Sequence, residues 1–204
     1  KGHVSDDGAI RILGPRDTTN WQSSAHITIP KVDLRDPKLS ITPSGELMLT
    51  TAGVRRDQKP LTHLSYSWLH SYATPNSGAN NPWSGPHQIG DTNMWLWRVT
   101  WHKGVAYSIG YDTAGEKFIR LYHATNPRKF DALVPTLFTE GYPNETGLIF
   151  LEDDTALCLL RRDGPSQSTP PQSTALLGRS KPPYTQWTWR DLAVSFVVSL
   201  PVLF

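Results

Sequence analysis

The sequence has almost no cysteine. One thiol among 204 residues, Cys158, excludes an intramolecular disulfide and any thiolate zinc site. It lies inside the apolar run "TALCLL" and reads as a small buried hydrophobe. An excess of charge of one sign is also lacking. Twenty Lys and Arg stand against 18 Asp and Glu, for a net charge of +2. That balance gives no electrostatic footprint for nucleic acid or an anionic membrane, so neither is expected as a partner. No apolar run reaches the roughly 20 residues that a membrane-spanning helix needs. The apolar end "AVSFVVSLPVLF" has 12 residues, includes Pro201 and is expected to be a buried strand. Long amphipathic helical patterns are missing. The seven histidines show no pair at helical metal-ligand spacing, so no metal and no cofactor is expected. Lys1 is not an initiator methionine and no signal peptide is visible, which leaves the compartment open.

What is present is turn chemistry. Proline (17), glycine (15) and tryptophan (8) punctuate short β-branched and aromatic runs, the profile of an all-β chain with many short strands. Three hairpins align: "DPKLSITPSGELMLTTAG" turning at Ser44-Gly45, "WLWRVTWHKGVAYSIGYD" turning at Lys103-Gly104, and "PNETGLIFLEDDTALCLLRR" turning near Asp153-Asp154. Between them recurs a β-run, then small or polar residues, then an aromatic: Trp21, Trp83, Phe130 and Trp187. A hairpin followed by a strand and an aromatic turn, repeating at roughly 50 residues, implies a β-propeller of four-stranded antiparallel blades. Residues 1–204 are read as one such domain of about four blades, with 192–204 as the apolar end strand. "GAIRIL" and "HITIPKV" read as the last two strands of a blade. Leftover strands at both ends are expected either to close the ring together or to be completed by a second copy, so a homo-oligomer is one expectation.

Hairpin arithmetic locates candidate site residues. Facing residues in a tight hairpin have numbers with a constant sum, so Glu145 lies opposite Arg161 or Arg162, with Cβ atoms about 5 Å apart. The same offset from the other two turns selects Asp36 and Trp95. These three positions are expected at one end of successive innermost hairpins, on the rim of the central depression. In "WLWRVTW", strict alternation sets Trp95, Trp97, Val99 and Trp101 on one face, read mainly as blade core, with Trp95 at the rim available for stacking on a ligand. "NET" at Asn144 matches the glycosylation sequon, and "DGPSQSTPPQST" (163–174) reads as an excursion between strands.

"PRDTTNW", "HATNPRKF" and "RSKPPYTQW" resemble worn copies of the Asp-box, the structural turn motif of the bacterial-neuraminidase-repeat propellers. Within that superfamily "NETGLIFLEDDTALCLLRR" is similar to the sialidase stretch that carries a glutamate, a hairpin and an arginine. The resemblance implies that Glu145 takes the place of the glutamate that activates a tyrosine nucleophile, and Arg161 that of one arginine of the triad gripping the sialic acid carboxylate. "HVSDDGAIRIL" resembles the loop carrying the acid/base aspartate, which implies a catalytic role for Asp6 or Asp7. Arg35, Asp36, Trp95 and Arg162 complete the expected substrate-binding set. The likeness covers most of residues 1–191 and does not include stretches for the other two triad arginines or the tyrosine. It therefore implies a sialidase-like propeller that binds sialic acid or a related sugar with weak or no hydrolysis. A non-catalytic scaffold completed by self-association is the alternative, and a competent sialidase a third.

Overall fold

A computed structural model describes residues 7–57, 59–70, 83–164 and 174–194. Among these residues the regular structure is entirely β. Strands β1 (Ile10–Pro15) and β2 (Trp21–Ile27) form a two-stranded sheet. Three four-stranded antiparallel sheets follow, each a meander in chain order. The second sheet contains β3 (Val32–Ile41), β4 (Leu47–Arg55), β5 (Thr62–His70) and β6 (Trp83–Ile89). The third contains β7 (Met94–His102), β8 (Val105–Asp112), β9 (Ile119–Asn126) and β10 (Lys129–Phe138). The fourth contains β11 (Pro143–Phe150), β12 (Ala156–Arg162), β13 (Leu176–Ser180) and β14 (Thr188–Asp191). This is the blade architecture of a β-propeller, with β3, β7 and β11 as the innermost strands.

The hairpins form where the turn residues demand them. Lys103 and Gly104 both adopt positive φ, 47° and 80°, in a two-residue loop between His102 and Val105. Such loops match the right-handed twist of the flanking strands. The recurring polar-to-aromatic segments are the turns between the third and fourth strands. Asp17 Oδ1 accepts from the backbone N–H of Thr19 (2.9 Å) and Asn20 (2.8 Å). Asn126 Oδ1 accepts from the N–H of Arg128 (3.0 Å), and Ser180 Oγ donates to the Gln186 carbonyl (2.6 Å).

Cores lie between blades. Ile10 and Ile27 meet Leu34, Leu49 and Trp83 between the first and second. Met48, Leu69 and Ile89 meet Leu96, Tyr122 and Phe130 between the second and third. Ile109, Ile119 and Leu121 meet Leu148, Cys158 and Leu160 between the third and fourth. Buried hydroxyls tie the seams. Ser65 Oγ accepts from the Leu96 N–H (2.9 Å) and donates to the Met94 carbonyl (3.1 Å). Thr100 Oγ1 donates to the Leu148 carbonyl (2.8 Å).

Two expectations change. The alternation along "WLWRVTW" is broken, because the register shifts between Leu96 and Val99. One extra residue flips the face that follows it. Leu96 and Val99 therefore share the core with the second blade, with Trp101 packed against it, while Trp95 and Trp97 form a separate cluster with Ala52 and Val54. The same shift occurs between Arg35 and Lys38 in β3 and between Pro143 and Thr146 in β11. All three inner strands thus carry a bulge. Second, Trp21 does not pack as the other turn aromatics do: it is 65% exposed. No strand of the first sheet pairs with the fourth among the described residues. Leu192–Val194 run beside Ala175 outside any strand, and the remaining tail residues (195–204) lie outside the described residues, as do 165–173 of the Pro/Ser/Gln loop.

Candidate functional site

The bulges turn side chains toward the centre. A pocket of about 400 Å³ opens there, between the second, third and fourth blades. Glu145 and Asn144 are the bulge residues of β11, and Arg161 and Asp163 reach in from β12 and its exit. Trp95 and Tyr111 come from β7 and β8, His63 from β5, and Lys117 and Tyr142 from flanking loops.

Glu145 and Arg161 meet as the hairpin arithmetic requires. Arg161 Nη1 donates to Glu145 Oε2 at 2.7 Å, and its Nε donates to Asp163 Oδ1 at 2.8 Å. A third contact runs from Nη2 to Asp163 Oδ2 at 3.2 Å, so the guanidinium is held by two carboxylates of its own hairpin. Asn144 Nδ2 also donates to Asp163 (2.9 Å), and Asn144 Oδ1 accepts the Glu145 N–H (2.7 Å). Burial, more than any other influence, pushes the Glu145 carboxyl up, against the Arg161 bond that pulls it down; Asp36 and Asp163 push it the same way as burial.

The opposite wall is aromatic. Trp95 and Tyr111 stack with ring centroids 6.1 Å apart and planes 12° apart. Burial drives the Tyr111 phenol far above its usual range, and the charges of Glu145 and Asp36 add to it. With Trp95 it presents a stacked aromatic surface to the pocket. His63 lies 5.8 Å from Trp95, and its buried Nδ1 has no hydrogen-bond partner among the described residues. Burial, and then Arg56 and Arg35, lower its pKa. Asp112 is occupied by the loop that follows it: its carboxylate accepts the N–H groups of Ala114, Gly115, Glu116 and Lys117. The Lys117 ammonium sits 4.4 Å over the Tyr142 ring.

Other sequence candidates fall in different places. Asp36 is the bulge residue of β3, with φ at 51°, and its charge reaches Glu145 and Tyr111. Beside it Lys38 Nζ donates to the Asp36 carbonyl (3.0 Å) and lies 3.8 Å over the Trp97 ring. Arg35 is turned to the buried Asp33, donating from Nε at 2.8 Å. Arg162 points outward, to the Thr174 carbonyl (2.8 Å) and Asp191 (3.3 Å). Asp7 is exposed on the approach to the second blade, where the neighbouring Gly8 carbonyl accepts from Leu34 (3.1 Å). Asp6 lies outside the described residues. The sequence reading missed His63, Tyr111, Lys117 and Asp163. Tyr111 escapes the same arithmetic: counting from Lys103-Gly104 pairs Trp95 with Asp112, and the bulge between Leu96 and Val99 moves the partner to Tyr111. Asp163 follows Arg161 by two positions, hence on one face. His63 carries no such signal, because it arrives from another blade.

No protein-family model matches the sequence, and no curated protein matches it either. Solved structures do. A protein of unknown function from Dyadobacter fermentans superposes with a TM-score of 0.69 at 14% identity, covering 96% of this chain and 61% of that one. The α-L-arabinanase of Penicillium chrysogenum, solved with arabinobiose, gives 0.65 at 14% identity over 92% of this chain and 60% of the other. The GH93 α-L-arabinofuranosidase of Fusarium graminearum, also with arabinobiose, gives 0.63 at 14% identity over 91% and 58%. The chain thus spans about three fifths of the length of each of these proteins. At this identity the likeness establishes the fold, one that glycoside hydrolases use. It narrows the sialidase resemblance to that coarser statement.

Proposed function

We propose that the chain is a carbohydrate-binding propeller of glycoside-hydrolase type, with weak or no hydrolysis, whose pocket takes a neutral sugar in preference to sialic acid. One observation carries the reading: a stacked Trp95–Tyr111 wall faces a Glu145 carboxyl of raised proton affinity across one pocket. Aromatic faces suit the apolar face of a sugar ring, and a few placed polar groups fix its orientation. The arginine argues for neutrality. Arg161 is clamped by Glu145 and Asp163, so binding a substrate carboxylate would require it to leave two charge-assisted bonds. The neutral arabinobiose held by two of the superposed enzymes agrees with this preference.

Glycosidases of the common type need one protonated carboxyl and a second ionised one. Glu145 suits the acid. Asp163 and Asp112 are spent on internal hydrogen bonds, and Asp36 from the second blade is the remaining carboxylate whose field reaches it. That shortage favours weak turnover. The uncovered apolar faces of the first and fourth blades favour a second reading, a non-catalytic interaction propeller completed by self-association.

Titration of arabinobiose and sialyllactose against tryptophan fluorescence tests the proposal. Arabinobiose is expected to bind more tightly, and Trp95→Ala to weaken it about tenfold or more. Glu145→Gln should retain binding and remove any release of reducing sugar. Tighter binding of sialyllactose would overturn the preference for a neutral sugar. Binding of neither would leave the interaction reading in its place.

A further inference from the structure

We propose that the first blade of one copy of this chain docks on the fourth blade of a second copy, with Trp21 as the anchor and a groove along Leu157 as its seat. This contact does not involve the sugar pocket, and it extends a packing rule that the chain already obeys three times. In each blade the aromatic after the turn between the third and fourth strands packs into the seam with the preceding blade. Trp83 does so between the first and second blades, Phe130 between the second and third, and Trp187 between the third and fourth. Trp21 is the fourth aromatic in the series, and among the described residues no preceding blade covers it.

Its face is turned the right way. Ile10 and Ile12 of β1 pack toward the second blade. Leu13 and Pro15 lie on the other face, paired with Ser23 and Trp21. Leu13 is 53% exposed beside Trp21 at 65%, so the outward face of the first blade is apolar and open. On the face of β3 turned to the first blade, Leu39 and Ile41, opposite Leu49 and Leu47, are 52% and 68% exposed.

The fourth blade offers the complementary half. Met48 of β4 faces the third blade in the core that holds Phe130, and Tyr107 of β8 packs edge-on against Tyr184 of the fourth blade at 5.4 Å. The counterpart of Met48 in β12 is Leu157, each one residue beyond the first pair of its hairpin. Leu157 faces away from the third blade, because its neighbours Ala156 and Cys158 fill that seam. With Leu151, Leu177, Arg179 and Thr188 it lines an open groove of about 380 Å³. Ile149, paired with Leu157, is 56% exposed on the same face. Among the described residues the chain therefore carries both a turn aromatic that no blade covers and an equivalent groove, walled in part by Trp189, that no turn aromatic fills.

The contact is heterologous, and each copy offers one anchor and one seat. A closed pair is the smallest assembly that seats every anchor. Light scattering and sedimentation velocity on the 204-residue chain test this. The expected result is a pair at micromolar concentration, with Trp21→Ser and Leu157→Glu each raising the dissociation constant about tenfold or more. Mixing the two variants should restore association, because the intact Trp21 of one copy still meets the intact groove of the other. Unchanged circular dichroism and melting would show both variants folded; should Leu157→Glu fail that control, Arg179→Glu on the same groove wall replaces it. A wild-type monomer at all concentrations would overturn the proposal and assign these faces to another chain or to further blades. So would pairs that survive both substitutions, or a mixture that associates no better than either variant alone.

Discussion

At the residue scale, the pocket sets two titrating groups against each other. Burial lowers the pKa of His63, with Arg56 and Arg35 adding to the effect, and raises that of Glu145. For a histidine whose folded pKa is depressed, the folded protein binds fewer protons than the unfolded chain between the two values. Stability is then lost as pH falls through the unfolded value of about 6.5 toward the folded one. Glu145 works in the opposite sense, since a raised carboxyl destabilises the fold most above its folded pKa. The urea midpoint is expected to drop between pH 7 and pH 5.5, and to drop less in His63→Gln; equal slopes would deny His63 this role. The two groups were not equally legible in the sequence. Glu145 and Arg161 share a hairpin, and a turn fixes register over the whole length of both strands. His63 meets Trp95 only because two blades pack at a particular angle, and nothing local in "PLTHLSY" encodes that angle.

At the element scale, close packing between strands leaves little slack. Gly178 of β13 faces Trp189 of β14, and an added Cβ would lie 2.6 Å from that ring. The ring cannot retreat, because Trp187 stacks 5.9 Å away and Phe138 packs at 5.0 Å. Gly178→Ala is expected to cost about 1–3 kcal/mol, read from urea unfolding; a neutral result would mean that the edge strand β14 yields. Strands and turns were legible here because their signals are local: Lys103-Gly104, Asp17 and Ser180 each act within a few residues. The three inner-strand bulges were not. A bulge is an extra residue on one strand relative to its partner, and simple counting from the turn assumes there is none. That assumption gave Glu145 the right partner, since the shift in β11 falls at Asn144 and Glu145 themselves. It misassigned the faces of "WLWRVTW", where the shift falls in mid-run.

At the scale of the whole molecule, the repeat was legible and its ends were not. Repetition imposes the same spacing on every blade, whereas closure depends on what meets the first and fourth. The described residues form a series of blades whose seams are cores in their own right, each holding its own set of side chains. The seam between the third and fourth blades contains the single thiol. Cys158 is fully buried there, and burial pushes its pKa far above the ordinary range. This makes the protein its own stopwatch. A thiol reagent added to the native chain can react only during the moments when the fourth blade swings clear, so the labelling half-life times that event with no engineered probe. Thr100→Ala removes the hydroxyl that ties β7 to the Leu148 carbonyl, a bond of about 1 kcal/mol, and should speed labelling about fivefold. Labelling as fast as that of the unfolded chain would instead reveal a fourth blade that is never latched, and the seam would have to be redrawn as a gate.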